Sequence, residues 1–344
     1  MKNIGFILIL TAMLFFVMAN VYCRETPNEL RASAIIAGET GYQKNAIEDL
    51  GISVSPEKDV FYLHGPVGVL LIVQNHSKYA IELDMSYPDL MPVQFMSKGE
   101  GVLKKDPFQG KVFLDYSYVP IKLQAGDSYK AVIYLNRFME FQKAGAFDVE
   151  FNINIQWTSL NNEKESKASS QTAMKKGTLR LNIKEADEKT LDKEIGLISK
   201  GLSSKDRQKQ LEAMEALCHL DTPLCIKYLG QALSVQYMEE RAIKALARFE
   251  GQEAEDLIES SLTNRDPPTV KAALAALANR GKLLDDKKIE NLFKDRHYRY
   301  STIMYLSKVG SAKHITMLEP LLKDDNPLIA EAARKCIEQL KNRE

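Results

Sequence analysis

The chain has 344 residues and carries 46 Lys and Arg against 46 Asp and Glu, so its formal net charge is zero. With 45% apolar and 27% charged residues it has the material for a buried core and is not a disordered chain. Balanced charge argues against a nucleic-acid coat or a polybasic membrane binder, which need a single-sign field, and four cysteines exclude a disulfide-dense miniature scaffold.

The chain opens with Lys2 and an apolar run from Ile4 to Met18. A positive start, a short apolar stretch and a small residue at Ala19 predict a secretory signal peptide over 1–23, cut after Ala19 or, second, after Cys23. Tyr22 stands where a lipoprotein needs a small residue before Cys23, which argues against lipidation. Extended through Tyr22, the run reaches the length of a marginal membrane span, so an uncleaved anchor is the alternative. Either way the body is expected on the far side of a membrane. The brief charged start is of bacterial kind and predicts a periplasmic or secreted protein.

From about Leu50 to Ile183 the apolar period is two, with β-branched and aromatic enrichment. Strands are expected at Val67–Val73, Tyr79–Met85, Val112–Tyr116, Tyr129–Leu135, Phe147–Trp157 and Gly177–Ile183. Phe147, Val149, Phe151, Ile153, Ile155 and Trp157 alternate on one face. Seven to nine short strands with turn signals predict an antiparallel β-sandwich over 24–186. The polar stretch Ser159–Lys176 reads as a hairpin loop between the last two strands.

Gly65-Pro-Val67, the strand end Asn75-His-Ser77, the turn Leu123-Gln-Ala-Gly-Asp127 and Gly145-Ala-Phe147 together resemble a bacterial Ig-like module. The nearest pattern is the sandwich of the intracellular proteinase inhibitor type. That resemblance implies inhibition through the sandwich loops. It covers about a third of the chain and departs at Phe147, where the family often has a tyrosine.

After Glu185 the period becomes 3.6. The pairs Ala216-Leu217, Ala245-Leu246, Ala276-Leu277, Tyr305-Leu306 and Cys336-Ile337 recur at spacings alternating between 29 and 31 residues, and Gly251, Gly281 and Gly310 follow three of them. A period near 30 predicts a helical solenoid over 187–344. Thr222-Pro223, Asp266-Pro267 and Asn326-Pro327 each place an N-cap before a first-turn proline. The stretch Leu318–Ile337, a helix, an Asp-rich turn and an Ala-rich helix, resembles bacterial HEAT-like repeats. Of the arginines that the family often places early in the Ala-rich helix, only Arg299 is present. Glu239, Val270 and Ala330 occupy the other positions, so no Asp–Arg ladder between repeats is expected.

Cys218 and Cys225 straddle the turn Leu220–Pro223, close enough in sequence to predict a disulfide in an oxidising compartment. The alternatives are buried thiols, or a metal site adding His219 and Cys336 without the paired spacing zinc sites use. Arg296, His297, Tyr298, Arg299 and Tyr300 interleave basic and aromatic side chains and form the candidate partner-binding cluster; the alternative is a solvated turn with Tyr298 packed inward. His64 and His76 lie at strand ends, and Asp84, Asp89, Asp115 and Asp127 are turn candidates. No nucleophile elbow, zinc-protease helix or phosphate loop occurs, and no cofactor is implied. These readings add up to an exported, non-enzymatic protein-binding or scaffold protein. A protease inhibitor is the first alternative, and a hydrolase with a site assembled from distant residues is the second.

Overall fold

The computed structural model describes residues 49–84, 93–97, 99–105, 120–160, 170–264 and 266–343. The predicted signal peptide, the expected strand 112–116, Asp89 and Asp115 lie outside them. Strands end at Lys184 and helices begin at Glu188, where the apolar period of the sequence changes.

Eleven strands are described. β1 (Leu50–Pro56), β3 (Gly68–Asn75) and β8 (Ser128–Tyr134) form one sheet in the order β1-β3-β8, antiparallel throughout. In the larger sheet β2 (Phe61–Tyr62), β11 (Ser170–Lys184), β10 (Gly145–Ser159), β4 (Ile81–Asp84) and β7 (Ile121–Leu123) are neighbours in that order, and β5 (Val93–Ser97) also pairs with β10. β6 (Val102–Lys104) pairs with β9 (Met139–Phe141). Both large sheets feed one buried cluster, from Val69, Leu71 and Val73 on β3 to Phe147, Val149, Ile153 and Trp157 on β10. The alternation read in β10 is therefore the inward face of the sheet.

Two expectations are corrected here. The sheets are not purely antiparallel: β2 runs parallel to β11. The connection between β10 and β11 is also shorter than the polar run implied, because β11 starts at Ser170 and pairs Ser170–Lys176 with Asn152–Thr158. Outward-facing strand positions on this solvent-facing side are polar too, so composition alone read them as loop.

Asn75 closes the end of β3. Its amide donates to Tyr79 O (2.7 Å), Gln124 O (3.0 Å) and Leu123 O (3.2 Å), and its Oδ1 accepts from the Ser77 hydroxyl (2.7 Å) and backbone N–H (3.0 Å). One fully buried side chain thus joins β3 to the segments before β4 and after β7.

Ten α-helices follow among the described residues: α1 (Glu188–Ser199), α2 (Arg207–His219), α3 (Ile226–Ala232), α4 (Glu239–Leu246), α5 (Gln252–Ser260), α6 (Pro267–Asn279), α7 (Asp286–Lys294), α8 (Arg296–Val309), α9 (Ile315–Leu318) and α10 (Pro327–Lys341). The even-numbered helices pack in succession, α2 on α4, α4 on α6, α6 on α8 and α8 on α10. Every recurring pair, from Ala216-Leu217 to Cys336-Ile337, lies buried on one of these five. Asp266 and Asn326 cap α6 and α10 with proline in the first turn, as expected. Thr222 does not cap through its side chain; Pro223 instead opens a short 3-10 turn, Pro223–Cys225, ahead of α3. Gly251 and Gly281 hold left-handed backbone, at φ 101° and 68°, which favours glycine.

Two ladders between successive units were not legible beforehand. Arg248 donates to Leu220 O (3.3 Å), Arg280 to Leu246 O (3.0 Å) and Phe249 O, and Arg343 to Gly310 O (3.1 Å) and Ser307 O. Each arginine follows a helix of the row and satisfies carbonyls at the end of the preceding one. Lysines on or just ahead of the odd-numbered helices reach back to carboxylates of the preceding odd-numbered helix: Lys227 to Asp192 (2.7 Å), Lys282 to Glu255 (2.5 Å), Lys288 to Glu259 and Lys313 to Asp286 (3.1 Å). The lone Arg299 does find an aspartate, Asp324 Oδ2 at 2.7 Å, ahead of α10.

Strands and helices belong to one compact unit, Glu48–Glu344, yet their buried clusters are separate. The junction is polar. Lys58 pairs with Glu194, Lys105 with Asp221, and Arg137 with Glu215 at 3.3 Å, the last pair almost fully buried. Glu212 on α2 accepts from the Val132 N–H of strand β8 (3.4 Å).

Candidate functional site

The basic–aromatic cluster opens α8, and the helix divides it. Asp295 caps the helix by accepting from His297 N (2.9 Å). Tyr298 turns inward and donates weakly to Asn264 O (3.4 Å). Arg299 donates to Phe293 O (2.9 Å) and to Asp324, so it braces a turn. Hydrogen bonding from Asn326 N and from Arg299 holds the Asp324 carboxyl below its usual range. Arg296, His297 and Tyr300 stay exposed, and Arg296 lies 4.0 Å from Asp325. The structure therefore keeps three of the five residues available and gives two to packing.

The exposed residues are part of a longer pattern. The spacings that place the buried pairs also place Tyr237, Pro268, His297 and Leu328 at one register of the row, and Lys271 and Tyr300 at the next turn. One turn further come Lys244, Ala275, Met304 and Lys335. All ten are exposed. Tyr237 is 75% exposed, Leu328 71%, Tyr300 49% and Met304 45%. Tyr237 also has a left-handed backbone, φ 67°, a costly state for a bulky residue, and the Arg207 guanidinium lies 5.7 Å from its ring centre. Sequence reading found only the α8 segment of this stripe. The remainder is hidden in the sequence because Tyr237 and Leu328 are isolated there, and only the repeat register of the buried pairs aligns them.

The cysteines take separate environments. The Cys225 thiol donates to Thr222 O (2.9 Å), whereas Cys218 Sγ lies 3.7 Å from Arg241 O. Cys218 and Cys225 are not bonded to each other in the structure, and their sulfurs face different carbonyls. Cys336 is buried against Ile303 O (3.7 Å), as a small core residue. Burial pushes the Cys225 thiol up to about 12 and the Cys336 thiol to about 11.

A shallow cleft with a volume of about 20 Å³ lies where strands meet helices, lined by Tyr62, His64, Lys105, Asn136, His219 and Asp221, among others. Asn136 is occupied structurally: Oδ1 accepts from Val67 N (2.8 Å) and its amide donates to Gly65 O (2.9 Å). Lys105 and Asp221 bond each other. Asp127, one of the turn candidates, accepts from Gln124 N (2.9 Å) within its own turn. Among the described residues no His, Cys, Asp or Glu group is placed to hold a metal, and no helix is long and apolar enough to cross a membrane.

No family model and no curated protein matches the chain. Crystal structures of two engineered proteins align with 44% of it: one at 21% identity over 80% of that protein with a TM-score of 0.31, the other at 20% over 86% with 0.29. An ASH / PapD-like domain of human CEP192 aligns with 43% of the chain and 94% of its own length, at 13% identity and a TM-score of 0.22. Each likeness covers less than half of this chain, and none identifies a family.

Proposed function

We propose that this is an exported, non-enzymatic protein-binding scaffold, an Ig-like sandwich followed by a short HEAT-like solenoid. The feature that carries the reading is a set of exposed side chains on the packed row: Tyr237 just ahead of α4, His297, Tyr300 and Met304 on α8, and Leu328 on α10. Tyrosine and methionine that stay in water at repeated register positions contribute nothing to the core. They give large affinity per residue once a partner covers them. The sandwich reading is supported by two sheets that share one buried cluster. The solenoid reading is supported by five helices packed in succession at a constant register.

A photo-crosslinking amino acid placed at Tyr300, and separately at the exposed Met174 of β11, tests the reading in the producing cell. Protein adducts are expected from position 300 and not from position 174. Adducts from 174 alone would move the binding surface to the sheet and overturn it.

A further inference from the structure

The helix row carries a charge pattern beside its exposed apolar side chains. The sequence is neutral overall, but neutrality hides segregation. From Phe249 to Ser261, through α5, the charged residues are Glu250, Glu253, Glu255, Asp256 and Glu259, with no cation among them. The row carries the opposite surplus. Arg207, Lys271, Arg296 and Lys308 are all exposed on the even-numbered helices. Among the described residues Arg207, Lys271 and Lys308 have no carboxylate partner; Arg207 bonds Gln210 and Gln236 O, and Lys308 bonds Asn279. Of the carboxylates on these helices, Glu240 is matched by Lys244 (2.6 Å) and Glu331 by Arg334 (2.5 Å) and Lys335 (3.4 Å), while Glu338 of α10 is exposed. Asp206, Asp266 and Asp295 are directed at the N-termini of α2, α6 and α8, where the helix dipole offsets them.

We infer that the exposed face of the α2–α10 row binds an extended acidic polypeptide segment that carries apolar side chains, its carboxylates meeting Arg207, Lys271, Arg296 and Lys308 and its apolar groups covering Tyr237, Tyr300, Met304 and Leu328. The inference rests on the reading of that face as the binding surface and adds the chemistry of what it takes. Cations alone would suit any polyanion. The interleaved tyrosine, methionine and leucine select a polypeptide, because a nucleic-acid backbone presents phosphate and sugar where these side chains need apolar contact. The left-handed Tyr237 supports the same face: a conformational cost is held there to keep an aromatic ring in solvent beside an arginine.

Fluorescence anisotropy on the intact chain tests this, with a labelled twelve-residue peptide of Asp, Glu, Leu and Phe as the probe. Binding is expected to weaken about tenfold in the Lys271→Glu, Lys308→Glu double variant and to weaken with added salt. A loss of about tenfold is also expected for Tyr300→Ala with Met304→Ala, at an unchanged melting temperature. Equal binding of the Asn/Gln isostere of the peptide, with loss only in the Tyr300 and Met304 variant, would overturn the acidic preference and leave the face as the binding surface. Binding that survives both double variants would overturn the face itself. A DNA oligonucleotide or an anionic phosphatidylserine vesicle that binds more tightly than the peptide would overturn the polypeptide assignment.

Discussion

The strand region and the helix row solve the same burial problem at different ranges. β3 is flanked by β1 from just before it and by β8 from about sixty residues later. A single side chain, Asn75, then ties its end to two further segments. In the helical region each unit touches the next, and the same devices recur: an aspartate or asparagine cap, a buried apolar pair, an arginine reaching back to the previous helix end. A defect in the strands is thus expected to be felt over the whole sheet, and one in the helices mainly by its neighbours.

The largest effect should come from the junction, which decides whether that contrast survives in the intact protein. Arg137 reaches from the strand region to Glu215 on α2, and both are nearly fully buried. Arg137→Met leaves the Glu215 carboxylate without that partner, with Arg241 at 3.8 Å and His219 at 3.1 Å still beside it. A loss of about 3 kcal/mol in urea unfolding is expected, toward the low end for a broken buried pair because the Arg241 guanidinium and the His219 ring remain beside the carboxylate. Two separate transitions in the variant would show that the pair couples the regions. An unchanged curve would show that the polar junction adds nothing.

Asn75→Ala ranks next. It removes the three hydrogen bonds donated by the Asn75 amide and the two that its Oδ1 accepts from Ser77, and a loss of about 2 kcal/mol is expected by chemical denaturation. Far-ultraviolet circular dichroism should show the strand signal melting earlier while the helical signal changes less. Joint early melting of both would contradict the difference in range.

The legibility of the sequence follows the same contrast. The β10 alternation and the five recurring pairs were readable because burial imposes period two or 3.6 on residues close in sequence. The short strands β5, β6, β7 and β9 were not, since three to five residues hold too few repeats of a period. The parallel β2–β11 pairing joins Phe61 to Ile183, a contact that no local pattern announces. At the candidate site, the segment around Tyr300 was visible as a cluster, but Tyr298 and Arg299 turned out to be packing residues. A helix beginning at Arg296 turns position 298 inward, and a cluster read without its helix phase cannot separate the two faces.

That phase gives the third prediction. Tyr305 and Tyr300 lie on one helix. The buried Tyr305 hydroxyl accepts from Leu284 N (2.6 Å) and donates to Lys282 O (2.7 Å). Tyr305→Phe should cost about 1–2 kcal/mol by leaving those groups unmatched, whereas Tyr300→Ala should stay within about 0.5 kcal/mol. Equal losses would mean that Tyr300 is a core residue and that the exposed stripe is not free for a partner.

Smaller still is a pH effect at Asp324. The hydrogen bond from Asn326 N, with Arg299 beside it, lowers its folded-state pKa. A carboxylate with a depressed folded pKa adds stability above its unfolded value and loses it as pH falls through the folded one. Arg299→Ala should therefore lower the melting temperature slightly near neutrality, with the difference shrinking on acidification below about pH 4. A difference that grows in acid would reverse the sign and remove Asp324 as its source.

The smallest expected effect is none. The helical units are joined by repeated packing and arginine–carbonyl bonds, so the α2–α3 turn needs no covalent staple. Cys225 donates to Thr222 O and its thiol is pushed up to about 12 by burial, which leaves on the order of one thiolate in ten thousand near pH 8. Both the attack that would form a bridge to Cys218 and alkylation by iodoacetamide need that thiolate. Reductant should leave the melting temperature unchanged, and Cys225 should alkylate only as fast as the protein unfolds. A peptide containing Cys218 linked to Cys225 in a non-reduced digest of the native protein would restore the bridge expected from sequence, and would place a covalent tie in the region that repeated local packing otherwise holds.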